Sequence, residues 1–293
     1  MEICPFCTSD ENLPLITVKK WTIVKCQNCN LVFTWLRAKY NVGKFNRSYY
    51  SDEYLSNYED RKDKLEKRFL RRLKEIEIFK KGGNLLDVGC STGLFLRTVQ
   101  KNSVYRWRLF GIDINRNSLA FAKTKADATF FCTSLHTKKF KESFFDCITC
   151  FDVLEHDVDI KGNLTEIYRI LKPGGLLVIQ LPNYKSVMAY LCGKNWDWWS
   201  VPDHVLHFSP PVLSKILADN GFIVKRLFTW EPGKEFIENI RGTIKMEVTR
   251  VMSLNRILSK LSVIPLYILW FTLLVAEKRF ETGGLIVVYA AKK

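Results

Sequence analysis

Residues 85–93 read Leu-Leu-Asp-Val-Gly-Cys-Ser-Thr-Gly, an apolar strand that ends in an acid and runs into a glycine-bounded turn and an apolar helix from Leu94. A strand ending at Val88, a tight turn at Gly89 and close backbone approach near Gly93 aim the N-terminus of that helix at a ligand. The dinucleotide fingerprint wants glycines where Gly89, Ser91 and Leu94 stand, so it fails here. No GK[ST] follows either, and the turn therefore does not cradle a di- or triphosphate.

Outward from this turn, strands are expected at Asn84 to Val88, Trp107 to Ile112, Thr129 to Cys132, Phe145 to Cys150, Leu176 to Leu181, Ile223 to Thr229 and Leu285 to Ala290, with helices between most of them. Such alternation predicts a doubly wound sheet. Because βαβ connections are right-handed and ligands bind at the carboxyl ends of strands, the first, second and fourth strand tips should line one crevice. The second tip, Phe110-Gly-Ile-Asp113, places a carboxylate where it can accept both ribose hydroxyls of a nucleoside. At the fourth stands Phe151-Asp-Val-Leu-Glu-His156, followed by Leu171-Lys-Pro-Gly-Gly175.

Asp87 to Gly93 resembles motif I of the class I S-adenosylmethionine-dependent methyltransferases, D-x-G-x-G-x-G, and the order of strand tips is similar to the branch that includes ubiquinone-pathway O-methyltransferases. The resemblance covers about residues 82–230 plus the last strand. It implies a seven-stranded Rossmann-like methyltransferase sheet. On that reading Asp87, Gly89, Cys90 and Gly93 hold the methionine moiety of the cofactor, and Asp113 and Ile114 hold the ribose and the adenine edge. Phe151 packs near the adenosine with Asp152 beside it, and Ser134 sits where the family usually offers an acid to the adenine amino group. Ser91 takes the place of the middle glycine, an exchange that costs little while φ stays below zero.

In-line displacement from a sulfonium depends mostly on positioning, but an oxygen nucleophile benefits from a base, and neutral histidine titrates in the right range. Of the four histidines, the catalytic candidates are His156 after the fourth strand and His204 with His207 in Pro202-Asp-His-Val-Leu-His-Phe208. His204 and His207 follow the Trp196, Trp198, Trp199 cluster, a segment resembling the family's substrate-facing lid. That cluster would stack on an acceptor or seal the pocket; a packed lid core explains it equally. Asp152, Glu155 and His156 also match a D/E-x-x-E-H pattern with which some relatives hold a divalent cation, so Mg2+ is an alternative there.

At the N-terminus, Cys4-Pro-Phe-Cys7 and Cys26-Gln-Asn-Cys29 are separated by eighteen residues. This is zinc-ribbon spacing, and four thiolates would close a structural Zn2+ site around a short hairpin within Leu15 to Val24. Cys147 and Cys150 lie in an expected strand, where an offset of three puts them on opposite faces, as core. The domain plan is then a ribbon over 1–45, a tyrosine-rich approach and basic amphipathic helix over 46–81, and the methyltransferase domain over 82–293. The helix carries the stripe Leu65, Phe69, Leu73, Ile76, and ten Lys or Arg between Arg61 and Lys81 are assigned to its other face.

The chain has 293 residues, 47% of them hydrophobic, so a substantial core is available and disorder is excluded. Its 45 basic against 30 acidic residues give +15, which favours an anionic partner. The first ten residues lack a secretory pattern, and the odd count of nine cysteines suits a reducing cytoplasm. A hydrophobic insertion over 236–281 contains an uncharged run from Leu261 to Ala276, too short to span a bilayer. Peripheral contact of 243–276 with the inner membrane face is weighed equally against a dimer contact or a substrate lid. The reading is a cytoplasmic methyltransferase acting on a small-molecule, glycan or lipid-linked acceptor. An RNA methyltransferase gripping nucleic acid through the ribbon and basic helix is the alternative; the fourth tip lacks the N/D-P-P-Y of base-amino enzymes and the Pro-Cys nucleophile.

Overall fold

The computed structural model describes residues 3–36, 62–137, 140–232 and 281–293. The tyrosine-rich approach before Lys62, the basic and apolar stretch 243–276, and all but the last residue of the insertion over 236–281 lie outside them. Among the described residues no helix is long and apolar enough to cross a membrane.

Eleven strands form two sheets among these residues. The N-terminal strands are β1 (Asn12–Val18), β2 (Trp21–Cys26) and β3 (Val32–Thr34). A long helix follows, α1 (Lys62–Phe79), and then β4 (Gly83–Val88), α2 (Leu94–Asn102), β5 (Trp107–Asp113), α3 (Arg116–Lys125), β6 (Thr129–Cys132), β7 (Phe145–Phe151), α4 (Ile160–Ile170) and β8 (Leu171–Pro182). The remainder is α5 (Val187–Cys192), β9 (Leu206–His207), α6 (Pro210–Asp219), β10 (Phe222–Trp230) and β11 (Leu285–Lys292). All seven expected strands of the large sheet are present. The fifth starts earlier than expected because the chain stays extended from Leu171 and turns through Gly174, at φ 66°, without leaving the strand.

The large sheet runs β10-β11-β8-β7-β4-β5-β6, with β4 parallel to both β5 and β7 and β5 parallel to β6. From β4 the chain steps outward to β5 and β6, then returns to place β7 on the opposite side. This reversal is the switch point at which open α/β sheets leave a crevice beyond the strand tips. Both faces of β7 are covered, so Cys147 and Cys150 are fully buried core, as their spacing implied, and burial raises both thiols. Local capping sets the helix starts: the Asn115 carboxamide accepts from Ser118 N at 2.8 Å and Asp159 accepts from Gly162 N at 2.9 Å.

The chain divides into two compact units. One contains 39–179, 215–226 and 288–293, and the other 1–38, 180–214 and 227–287. In the first, α1 buries Phe69, Leu73 and Ile76 from its expected stripe, but Arg72 joins them with no exposure at all. The basic face is therefore not wholly solvated. Arg72 pairs with Glu75 one turn on, and Glu75 also accepts a hydrogen bond from the Tyr289 hydroxyl on β11. A buried guanidinium persists only with such partners.

In the second unit the expected hairpin is the antiparallel pair β1–β2. Its sheet does not stop at β3, because β9 pairs with β3 in the register Val32 to His207 and Phe33 to Leu206. Val18, Ile23 and Val32 share one buried cluster with Met188, Trp196, Trp199 and Val201. The tryptophan segment thus supplies the apolar surface that a short hairpin lacks by itself.

Candidate functional site

The turn after β4 is built as its glycines suggest. Gly89 has φ 67°, and a Cβ there would come within 2.5 Å of Val153 Cγ2, so the backbone packs directly under the loop after β7. Gly93, at φ 71°, caps α2. Ser91 departs from expectation: its φ is 46°, in the left-handed region that the exchange for glycine was expected to avoid. The reason lies in the turn. Gly93 N bonds back to Cys90 O at 2.8 Å, and Ser91 N reaches Asp113 Oδ2 at 2.9 Å, which together force the chain into a tight reversal.

Asp113, at the tip of β5, is the centre of the cleft. Its Oδ2 accepts from Ser91 N, and its Oδ1 accepts from Asn115 N at 2.7 Å. A carboxylate offers about four lone-pair sites, so these two bonds fix its plane and leave acceptor capacity for a pair of vicinal hydroxyls. Burial raises its pKa while the backbone bonds oppose that rise.

Gly89, Asp113, Ile114, Ser134, Asp152 and His156 line one cleft, together with Thr133, Leu135, Val153 and Leu154. Six expected residues from four separate stretches are thus brought together. The sequence reading missed Leu135 and Leu154 as walls; each lies within three residues of a strand end, the one signal that could have found them. The donor set fits an adenosyl group: a pinned carboxylate for the ribose, apolar walls at Ile114, Leu135 and Leu154 for a flat base, and the Ser134 hydroxyl at the rim.

The other expected cofactor residues support the cleft without lining it. Asp87 is buried, accepts from the Thr149 hydroxyl at 2.6 Å, and is pushed up to about 7 by burial, with Asp113 adding to the rise. Cys90 ties the turn to β5 through Cys90 N to Ile112 O at 3.0 Å and lays its thiol over Gly111, where a Cβ would sit 2.7 Å from the sulfur. Phe151 turns into an aromatic cluster, 5.0 Å edge-on to Phe95 and 5.7 Å from Phe69. The Mg2+ alternative lacks support: exposed Asp152, with φ 57°, does not join the carboxylate of buried Glu155 and the imidazole of half-buried His156 in a ligand group among the described residues.

Two expected histidines belong to the other unit. His204 pairs Nδ1 with the Trp198 carbonyl at 2.8 Å. A carbonyl only accepts, so Nδ1 carries a hydrogen, and in the neutral form of the ring the lone pair is then on Nε2. His207 is buried in β9, with Nε2 at 3.0 Å from Thr34 Oγ1 and its ring edge-on to Trp199 at 5.0 Å. Burial pulls it down to about 3, so it is neutral at physiological pH and its surroundings are those of a packing residue.

Cys4, Cys7, Cys26 and Cys29 bring their sulfurs within 4.8 Å of one another, with Cys4 to Cys29 and Cys7 to Cys26 both at 3.5 Å. A tetrahedral zinc with Zn–S near 2.3 Å has edges of about 3.8 Å, so the set fits that ion. The two knuckles are built alike: Thr8 N returns to Cys4 O and Asn30 N to Cys26 O, both at 3.0 Å, with Thr8 at φ 62° and Asn30 at φ 64°. A hydrogen bond from Cys29 pulls the Cys4 thiol down to about 5 and pushes Cys29 up, so the pair already favours a thiolate.

Residues 58–226 match the family model described as a methyltransferase domain. A ubiquinone biosynthesis O-methyltransferase of Coxiella burnetii is 32% identical over 163 residues, 51% of this chain and 68% of that protein. One from Bradyrhizobium sp. is 27% identical over 169 residues, 54% of this chain, and the match spans just 65% of the relative's length. Among solved structures, a SAM-dependent methyltransferase from Archaeoglobus fulgidus aligns with TM-score 0.55 at 21% identity, covering 83% of this chain and all of that one. A possible histamine N-methyltransferase from Thermotoga maritima gives 0.54 at 17%, with 82% and 97% covered. These two establish the fold, in agreement with the seven-stranded order.

Proposed function

The chain belongs to the S-adenosylmethionine-dependent methyltransferases, and from that premise we propose that it methylates a hydroxyl on a small-molecule, glycan or lipid-linked acceptor. The observation that carries cofactor placement is Asp113, held by two backbone N–H groups inside the cleft at the sheet's switch point. The choice of oxygen as nucleophile follows the O-methyltransferase activity by which the Coxiella and Bradyrhizobium relatives are named.

The bound sulfonium supplies an electrophilic methyl group, and the protein's part is positioning and exclusion of water. Asp113 would orient the ribose, Ile114, Leu135 and Leu154 would flank the base, and the Gly89 backbone would allow close approach. His156 and His204 are the residues proposed to take the acceptor's proton, His204 through Nε2, since its Nδ1 faces the Trp198 carbonyl. His207, spent on packing, has no part in this step. Cys4, Cys7, Cys26 and Cys29 would hold Zn2+ in a closed set that leaves no ligand position for substrate, so the ion's role is structural.

Calorimetric titration with S-adenosylmethionine tests the reading. Asp113→Ala should weaken binding at least about tenfold, since hydrogen bonds to a charged group contribute roughly 1.5–3 kcal/mol. Equal affinity in the variant would remove Asp113 from the site. RNA is the alternative acceptor, favoured by the net charge of +15, and a steep fall of RNA affinity with salt would select it.

A further inference from the structure

The contacts between β3 and the segment that carries His204 are more specific than packing requires. Thr34, the last residue of β3, makes three of them. Its N–H donates to the Val205 carbonyl at 2.8 Å, its hydroxyl donates to the His204 carbonyl at 2.9 Å, and the same oxygen lies 3.0 Å from His207 Nε2. A hydroxyl has one hydrogen and two lone pairs, so Thr34 giving its hydrogen to His204 O requires that His207 Nε2–H donate to it. That fixes the His207 tautomer, and the ring then stands against Trp199. On its other side His204 is held by Ser200 O, which accepts from His204 N at 3.0 Å, and by Trp198 O at Nδ1.

Thr34 lies five residues beyond Cys29, and the knuckle closes on the residue just before this strand: Cys26 N donates to Leu31 O at 2.9 Å. The apolar side follows the same route, because Ile23 and Val32 of the ribbon pack with Trp196 and Trp199. We propose that the four-cysteine ribbon is a clamp on residues 198–207, and that Thr34 is a positioning residue through which it sets the orientation of His204. The functional part rests on the proposed role of His204 as base. The residues of the cofactor cleft all belong to the other unit, so loss of the Thr34 contacts leaves cofactor affinity alone.

The test uses the full zinc-loaded chain with 15N-histidine labelling. Wild type should show His204 as a single Nδ1–H tautomer. Thr34→Val keeps the volume and removes the hydroxyl; it should give mixed or broadened His204 and His207 ring signals, with the S-adenosylmethionine Kd within twofold. Thr34→Ser should restore the wild-type spectrum, which separates loss of the hydroxyl from general disturbance. Stripping zinc with a chelator should produce the same loss of the His204 tautomer, again with Kd within twofold, and adding zinc back should reverse it. Labelled-methyl transfer into a cell extract should fall at least tenfold in Thr34→Val and recover in Thr34→Ser. Unchanged His204 signals in both Thr34→Val and the zinc-free protein would overturn the proposal. Full transfer by His204→Gln would overturn the base reading instead, and leaves the spectroscopic result to stand by itself.

Discussion

Ser91→Gly should make the protein more stable, although it removes atoms from a well-packed turn. Ser91 sits at φ 46°, where a Cβ crowds the following carbonyl, at a cost of roughly 1–2 kcal/mol. Its Oγ is buried with no hydrogen-bond partner among the described residues, so the hydroxyl has given up water without compensation. Against this, glycine makes the unfolded chain more flexible by about 0.4–1 kcal/mol. The balance is a gain of about 1 kcal/mol, or about 2–4 °C in midpoint for a cooperative unit of this size. Ser91→Ala separates the contributions, since it removes the hydroxyl and keeps the crowded Cβ; Gly should exceed Ala by about 0.5–1 kcal/mol. Urea denaturation at constant m-value, without ligand, measures all three proteins. The Kd for S-adenosylmethionine should stay within about threefold in Ser91→Gly, because Asp113 is held by the backbone N–H of residue 91. A Ser91→Gly protein less stable than both wild type and Ser91→Ala would refute the strain argument.

Asp87 gives a pH signature. Its folded pKa of about 7 stands above the unfolded value near 3.9, so the folded state binds the extra proton across that window. The associated stability is present below about pH 4 and is lost as pH rises through 7. Urea midpoints at pH 5 and pH 8 should therefore differ less in Asp87→Asn than in wild type, and an unchanged difference would show that Asp87 is not the titrating group. Arg72→Ala should cost about 3–5 kcal/mol, because it leaves Glu75 and the Tyr289 hydroxyl facing a lost buried charge. Thermal unfolding checks this, and Arg72→Met with Glu75→Gln should recover part of the loss by removing both charges together.

The site was legible where its parts are local in sequence. A strand, its terminal acid and the following turn are adjacent residues, so Asp87 to Gly93, Asp113 and Asp152 could each be placed at a strand tip from a few neighbours. The alternation of strand and helix then sets their order, since crossover handedness leaves few arrangements. The four cysteines were legible for the same reason, as two knuckles of four residues.

Orientation within those stretches was not legible. Phe151 and Asp152 are adjacent at one strand tip, yet Phe151 turns to Phe95 while Asp152 lines the cleft. Their backbone angles depend on the loop packed over Gly89. Arg72 read as one more charge on a basic helix, because nothing local shows that its partner Glu75 is itself held by Tyr289 on β11, more than two hundred residues away.

By itself the sequence determined the sheet, the glycine-bounded turn and the four-cysteine cluster, because periodicity and short spacing encode them within a few residues. Tertiary structure alone decided that β3 pairs with β9, that Thr34 grips His204 and His207 across about 170 residues, and that Ser91 takes a left-handed φ. The strand pairing depends on backbone donors and acceptors that every residue carries, and the Thr34 hydroxyl finds its partners only where folding brings distant residues together, so neither leaves a mark in the local sequence.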